Sequence, residues 1–484
     1  MSRAESPRGG SLRSQPTDLP LTLGALEASG WQSVPVHEEL RRNAARRVAA
    51  GQPVIERVIG FDDTVLPQLE NALLAAHDVI LLGERGQAKT RIARSLVELL
   101  DEWLPVVAGS EVRDDPYAPV SRYGLDVVAS EGADTPIAWV HRSQRLSEKL
   151  ATPDTSIADL IGEVDPIRVA EGRYLSDELT LHYGLVPRSN RGLFALNELP
   201  DLAERIQVGL LNVLEERDIQ IRGFTVRLPL DVMLVATANP EDYTNRGRII
   251  TPLKDRFGAQ IRTHYPADTE TEMAIIHQEV SLPPETGTAP STEVPEFMCE
   301  VVAELSQLAR QSPHLNQHSG VSVRLSITNY ETLVANSLRR ALRLGETEAV
   351  PRVSDLGALV SSTQGKVEIE ALEEGREERI LAGLVSAAVL SVFRRRTESE
   401  RLAAIVSAFD DKRVVHTGDD LPASSYSGTI SEVPGLKELC VTLAGSESPG
   451  ALASAAELLL EGLYLTKRLN KDAAGAKATY RGRS

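Results

Sequence analysis

The sequence predicts an α/β chain with a parallel-sheet core in its first half and helices in its second. Three observations predict it. A short apolar run, Asp78–Leu82 (DVILL), leads through a glycine-containing loop into helical periodicity from Ile92 to Leu100. Strand, loop, helix is the opening unit of a parallel sheet. Two more short apolar runs follow at long intervals, GLFAL ending at Leu196 and DVMLVAT ending at Thr237. After about residue 265 strand patterns stop, and long helical patterns dominate at 295–311, 324–345 and 367–396.

The elements follow in order. Residues 1–35 are rich in Ser, Pro, Gly and Arg and are expected to form a disordered arm. A basic helical segment follows, HEELRRNAARRVAAG. Asp63–His77 carries Val65, Leu66, Leu69, Leu73 and Leu74 at helical spacing. Between the second and third strands, Leu199–Glu216 places Leu202, Ile206, Leu210 and Leu214 on one helical face. Ile219–Leu228 alternates around Gly223, which reads as a β-hairpin. Residues 397–450 look partly irregular, a last helix is expected at 451–468, and the tail is polar. The expected domains are the arm at 1–35, an α/β core at 36–265, a helical lid at 266–400 and a helical extension at 401–484.

Composition narrows the function. A chain of 484 residues is too long for one ordinary core. Its formal net charge of −17 disfavours general nucleic-acid binding, which needs clustered Lys and Arg. Cys299 and Cys440 stand far apart and make neither a disulfide framework nor a cysteine zinc site. No apolar run reaches membrane-spanning length and the N-terminus lacks the apolar stretch of a signal peptide, so a cytoplasmic location is expected.

The chemistry concentrates in five places. The loop Gly83-Glu84-Arg85-Gly86-Gln87-Ala88-Lys89-Thr90 lies between the first strand and its helix. There, backbone N–H groups converge on phosphates and the helix dipole favours anions. Lys89 would reach the β- and γ-phosphates, and Thr90 would offer its hydroxyl to Mg²⁺. The usual pattern has glycine before the lysine. Here it is Ala88, which the helical backbone expected at that point would suit. The second strand ends in Asn197-Glu198, where P-loop ATPases carry an acidic pair. Glu198 suits the water-orienting role, and Asn197 would touch the metal through a neutral oxygen. The third strand ends in Thr237-Ala238-Asn239-Pro240, an amide able to position the lytic water. Arg256 follows that strand and Arg324 starts a later helix. An arginine supplied by a neighbouring subunit can stabilise transition-state charge, and one on a mobile helical domain can couple nucleotide state to domain angle. Singly, each has a bland reading: a helix-capping carboxylate, a turn asparagine, two surface arginines. Their order is what argues for a nucleotide site.

With these landmarks in order, the chain resembles the AAA+ superfamily, specifically the branch of the magnesium chelatase I subunit and the MoxR ATPases. Asp159–Glu163, Tyr183–Gly192 and Asn197-Glu198 look like the segment running from the helix-2 insert into Walker B, and Leu253–Gly258 looks like the arginine-finger segment. The resemblance covers roughly residues 55–345. It implies an AAA+ P-loop core with a parallel sheet and a helix-2 insert hairpin, followed by an α-helical lid and a further C-terminal helical region. It makes Lys89 and Thr90 Walker A, Glu198 the Walker B glutamate, Asn239 sensor 1, Arg256 the trans arginine finger and Arg324 sensor 2. It places 163–187 in the insert facing a ring pore. It also implies ATP and Mg²⁺ as cofactors, a homo-hexamer, and a protein client or a partner carrying a von Willebrand factor A domain. The departures at Ala88 and Asn197 leave a low-turnover nucleotide-binding scaffold as the alternative. A DNA-directed role rests only on Arg41–Arg47, and the sequence carries no GAFTGA-like loop and no helix-turn-helix signature at its C-terminus.

Overall fold

The computed structural model describes residues 18–164, 180–216, 228–239, 248–282, 290–316, 320–368, 376–409, 413–474 and 477–483. The chain divides into two compact units, one of residues 1–83 and 88–263 and one of residues 84–87 and 264–484. The tip of the glycine-containing loop therefore counts with the second unit and its two ends with the first.

The first unit contains strands β1 (Val79–Leu82), β2 (Trp103–Val107), β3 (Ile137–His141), β4 (Leu146–Leu150), β5 (Gly162–Val164), β6 (Leu181–Tyr183), β7 (Gly192–Asn197), β8 (Val232–Ala238) and β9 (Ala259–Arg262). Its central sheet has the order β4-β7-β8-β1-β9. Every neighbouring pair in it is parallel. The three central strands are buried along their whole length, so they read as unbroken apolar runs. Alternate residues serve opposite faces. Ile80, Phe194, Leu196, Leu234 and Ala236 join one cluster with Leu202, Ile206, Leu210 and Leu214. Val79, Leu81, Leu193, Met233 and Val235 join the other with Leu69, Leu73, Ile92 and Leu96.

Six helices of this unit matter below: α1 (Leu23–Ala28), α2 (Val36–Ala49), α3 (Val65–Leu74), α4 (Lys89–Ser95), α5 (Glu204–Glu216) and α6 (Thr251–Arg256). The expected helices at 63–77 and 199–216 are α3 and, after a short turn at Leu199–Asp201, α5. Leu74 is the exception on its face, 38% exposed. The basic segment is α2, where Arg41 pairs with Glu38 and Arg42 with Asp101.

The structure corrects several expectations. Part of the proposed arm is structured: the Thr22 hydroxyl caps α1, and Leu23 and Leu26 are buried. Composition averaged over 35 residues hides two well-spaced leucines. β4 and β9 are not legible as strands in the sequence, because LSEKL and AQIR mix polar with apolar residues at the sheet edges. The insert appears as an antiparallel pair, β5 with β6, in which Gly162 faces Tyr183. Gly162 has φ +124°, and a Cβ there would meet His182 O at 2.4 Å. The remainder of the insert, 165–179, and most of the expected hairpin at 219–228 lie outside the described residues.

In the second unit, helices α7 (Glu296–Gln311), α8 (Arg324–Leu344), α9 (Arg376–Arg396) and α12 (Pro449–Leu465) match the four expected patterns, with α9 starting later than 367. α10 (Tyr426–Glu432) and α11 (Leu436–Ala444) fall inside the stretch that looked irregular. Strands do not stop at 265. β10 (Ser291–Thr292) pairs with β11 (Glu348–Ala349), and β12 (Val414–Gly418), β13 (Leu469–Ala474) and β14 (Lys477–Gly482) form an antiparallel sheet of order β12-β14-β13. The polar tail is thus two strands of that sheet, anchored by buried Leu469, Ala478 and Tyr480. Residues from both sides of position 400 share one core, from Ile276 to Tyr480. The extension and the helical region before it are a single packing unit.

Candidate nucleotide site

Parallel sheets present their chemistry beyond the carboxyl ends of the strands. Here the three central strands end side by side, and their ends carry the loop start Gly83, the pair Asn197-Glu198, and Asn239. The Gly83 N–H continues the ladder by donating to Ala238 O at 3.1 Å.

Two hydrogen-bonded chains run across these ends. In the first, the Lys89 ammonium donates to Gly83 O and, at 2.6 Å, to Asn239 Oδ1. Asn239 Nδ2 donates in turn to Glu198 Oε2 at 2.9 Å. The amide thus uses its acceptor for the cation and its donor for the carboxylate, bridging two charges that are far apart in sequence. In the second chain, Thr90 Oγ1 donates to Asn197 Oδ1 at 3.3 Å, and Asn197 Nδ2 donates to Glu148 Oε1 at 2.6 Å. Thr237 links the two. Its hydroxyl accepts from Glu198 N at 3.1 Å and donates to Asn197 Oδ1 at 3.3 Å. Lys89, Asn197, Thr237 and Asn239 are buried, while Thr90 and Glu198 are half-buried.

The backbone holds strain here. Ala88 has φ +56° and ψ +12°, a left-handed conformation, and Glu198 has φ +55°. The helical backbone expected at Ala88 is therefore wrong. The position needs what glycine gives freely, and an alanine there costs roughly 1–2 kcal/mol. Non-glycine residues held left-handed cluster at functional sites. Within the loop tip, the Glu84 N–H donates to Gln87 Oε1 at 3.0 Å. Arg85 O accepts from the Tyr265 hydroxyl at 2.9 Å. Gly86, at φ +77°, has no room for a side chain, since a Cβ would lie 1.9 Å from Ser322 Oγ.

Neither arginine takes part in these hydrogen-bonded chains. Arg256 ends α6, is exposed, and pairs with Glu215 of α5 at 2.6 Å. Arg324 is the exposed first residue of the 21-residue α8, its own N–H donating to Ser322 Oγ at 3.1 Å. A cation at a helix N-terminus opposes the dipole, so its position is not one that helix stability selects.

Sequence reading missed Glu148 and the linking role of Thr237. Thr237 was visible as the residue two before Asn239. Glu148 carried no motif, and only the register of β4 against β7, with Glu148 opposite Ala195 and Leu150 opposite Asn197, brings it near the site.

As for the metal, the oxygens of Thr90, Asn197 and Glu148 are the hard donors that Mg²⁺ takes. Among the described residues no group of three His, Cys, Asp or Glu side chains forms a metal cluster.

Comparison with known proteins agrees with this geometry. The Sigma-54 interaction domain matches residues 170–256, which include β7, α5 and β8. The magnesium-chelatase subunit ChlI of Nostoc sp. (strain PCC 7120) is 25% identical over 231 residues, covering 46% of this chain and 57% of that protein. The ChlI of Nephroselmis olivacea is 23% identical over 319 residues, covering 63% of this chain and 85% of that one. The chain spans about half the length of the first curated relatives it matches, 57%, 56% and 50%. A BchI–BchD magnesium chelatase structure overlays 67% of this chain at 19% identity with a TM-score of 0.34, too low to carry functional weight. Motif order, strand-end geometry and these relatives agree: the chain is similar to the AAA+ ATPases of the magnesium chelatase type.

Proposed function

We propose that the chain binds ATP with Mg²⁺ and hydrolyses it in a ring of identical subunits, using turnover to remodel a partner protein or to assist insertion of a metal or cofactor. The observation that carries this reading is the chain from Lys89 through Asn239 to Glu198, at 2.6 and 2.9 Å. Residues from three separate motifs converge there as phosphoryl transfer needs. ATP when bound supplies the phosphoryl group, and Mg²⁺ neutralises charge on it. Lys89 binds phosphate oxygens. Thr90 and Asn197 offer oxygens on the metal side. Glu198 orients water and accepts its proton, and Asn239 holds that carboxylate in place. Arg256, exposed on α6, is available to a neighbouring copy's phosphates, and Arg324 is the sensor of nucleotide state in the second unit. A hexamer and a von Willebrand factor A partner come from the resemblance, and a cytoplasmic location from the sequence. Among the described residues no helix is long and apolar enough to cross a membrane.

A low-turnover scaffold is the second reading. It is favoured by the left-handed Ala88 and by an amide at Asn197 in place of a carboxylate. One experiment separates the two. Phosphate release is measured with Mg²⁺ over a protein concentration series, beside Glu198→Gln and Arg256→Ala. Turnover rising more than linearly with protein, and falling about 100-fold or more in both variants, supports the ring ATPase. ATP-dependent assembly without phosphate release supports the scaffold. Parental turnover in Glu198→Gln would sink the assignment of that glutamate.

A further inference from the structure

An amide at the metal side of a phosphate site is ambiguous. Its oxygen can face the cation, but so can its NH₂, and the second orientation repels a metal. The structure shows what removes the ambiguity. Glu148 Oε1 lies 2.6 Å from Asn197 Nδ2. An ionised carboxylate can only accept, so it takes the amide protons and turns Asn197 Oδ1 toward the hydroxyls of Thr90 and Thr237, both at 3.3 Å. Glu148 is itself fixed. Arg94, one turn along α4 from Thr90, grips it with Nε at 2.8 Å and Nη2 at 3.1 Å. A carboxylate has lone pairs enough to serve Arg94 and Asn197 together. The Arg94 side chain is 62% exposed and that of Glu148 25%. Water therefore screens the ion pair, and Arg94 orients the carboxylate more than it cancels its charge.

We propose that Glu148 is the positioning residue for the metal side of this site: it locks Asn197 with its oxygen forward and supplies, from the neighbouring strand, the negative charge that Asn197 lacks. The acidic function normally concentrated at one strand end is split here between β4 and β7. Partners that orient a metal ligand typically change metal affinity 10–100-fold when removed. The inference rests on the nucleotide reading above and deepens it.

The test is binding of a fluorescent ATP analogue, mant-ATP, to the full chain during Mg²⁺ titration, with no turnover required. Four proteins are compared: the parent, Glu148→Gln, Asn197→Asp, and the double variant, each checked for a parental melting transition. Glu148→Gln is expected to raise the Mg²⁺ concentration for half-maximal binding about 10-fold, with Mg²⁺-free binding unchanged. In the Asn197→Asp background the same change is expected to have no effect or to lower that concentration, because the strand end now carries its own charge and Glu148 only repels it. This dependence on background is what a merely structural residue would not show. Parental Mg²⁺ dependence in Glu148→Gln, or an equal loss in both backgrounds, overturns the proposal and leaves the nucleotide reading standing. A parent that binds mant-ATP neither with nor without Mg²⁺ overturns both.

Discussion

Two buried polar networks, one in each unit, put similar residues to opposite uses. In the second unit, Arg340 Nη2 meets Asp355 Oδ2 at 3.1 Å and Val350 O at 2.6 Å, and its Nη1 meets Glu346 at 2.9 Å. Arg352 ties Glu346 to Leu421 O and lies over the Tyr426 ring. Glu457 accepts from Ser354 N at 2.7 Å and from the Tyr426 hydroxyl at 2.5 Å. These groups join α8, α10, α12 and the turns between them, and they bond to one another, although Arg352 Nε is buried without a partner. Burial raises the Glu457 carboxyl above its usual range despite Arg352 and the Tyr426 hydrogen bond. In the first unit, Lys89, Asn239, Glu198, Asn197 and Thr90 also bond to one another, but at open strand ends and on strained backbone at Ala88 and Glu198. The closed network specifies packing. On the proposed reading, the open one exchanges these partners for a ligand.

The contrast can be broken at either end. Replacing Arg340 by Met leaves Asp355, which has no exposed surface, without its guanidinium. That should cost about 3–5 kcal/mol, read as a fall in the denaturant midpoint. A loss below 1 kcal/mol would mean that the network is slack. Asn239→Ala should show the reverse pattern. Stability should change by about 1 kcal/mol, while turnover falls roughly 100-fold because Glu198 loses its orienting partner. A melting shift as large as that of the Arg340 variant would erase the distinction. The smallest effect is expected for Ala88→Gly. It relieves the left-handed strain but gains chain entropy on unfolding, for a net stabilisation of up to about 1 kcal/mol. A destabilised Ala88→Gly would show that the alanine methyl, partly buried against the sheet core, outweighs the strain.

Legibility in the sequence followed burial and periodicity. The central strands β1, β7 and β8 were readable because they are buried on both faces and carry unbroken apolar runs. α5 was readable because Leu202, Ile206, Leu210 and Leu214 keep helical spacing. Edge strands were not, because half of their residues answer to solvent. The β13–β14 hairpin was hidden among Lys, Arg and Asn, with Leu469, Ala478 and Tyr480 as its sparse anchors. The left-handed backbone at Ala88 is not legible, because a one-letter code carries no φ angle. Loop connectivity sets the backbone there, and the loop turns left-handed before α4 begins.

The α/β class and the order of the chemical groups are legible in the chain alone: Lys89 and Thr90, then Asn197 and Glu198, then Asn239, each at the end or start of an element whose periodicity is local. Local pattern suffices for that, because a strand end or a helix start is set by a handful of neighbouring residues. Which strands lie side by side is set by the folded chain as a whole. Strand order is a long-range choice, and it brings Glu148 of β4 to Asn197 of β7 across 49 residues of chain. It likewise decided that the last strands return to β12 and close one core with the helices before residue 400. Pairings across such distances are selected by the apolar area they bury together, a quantity that no short window of sequence contains.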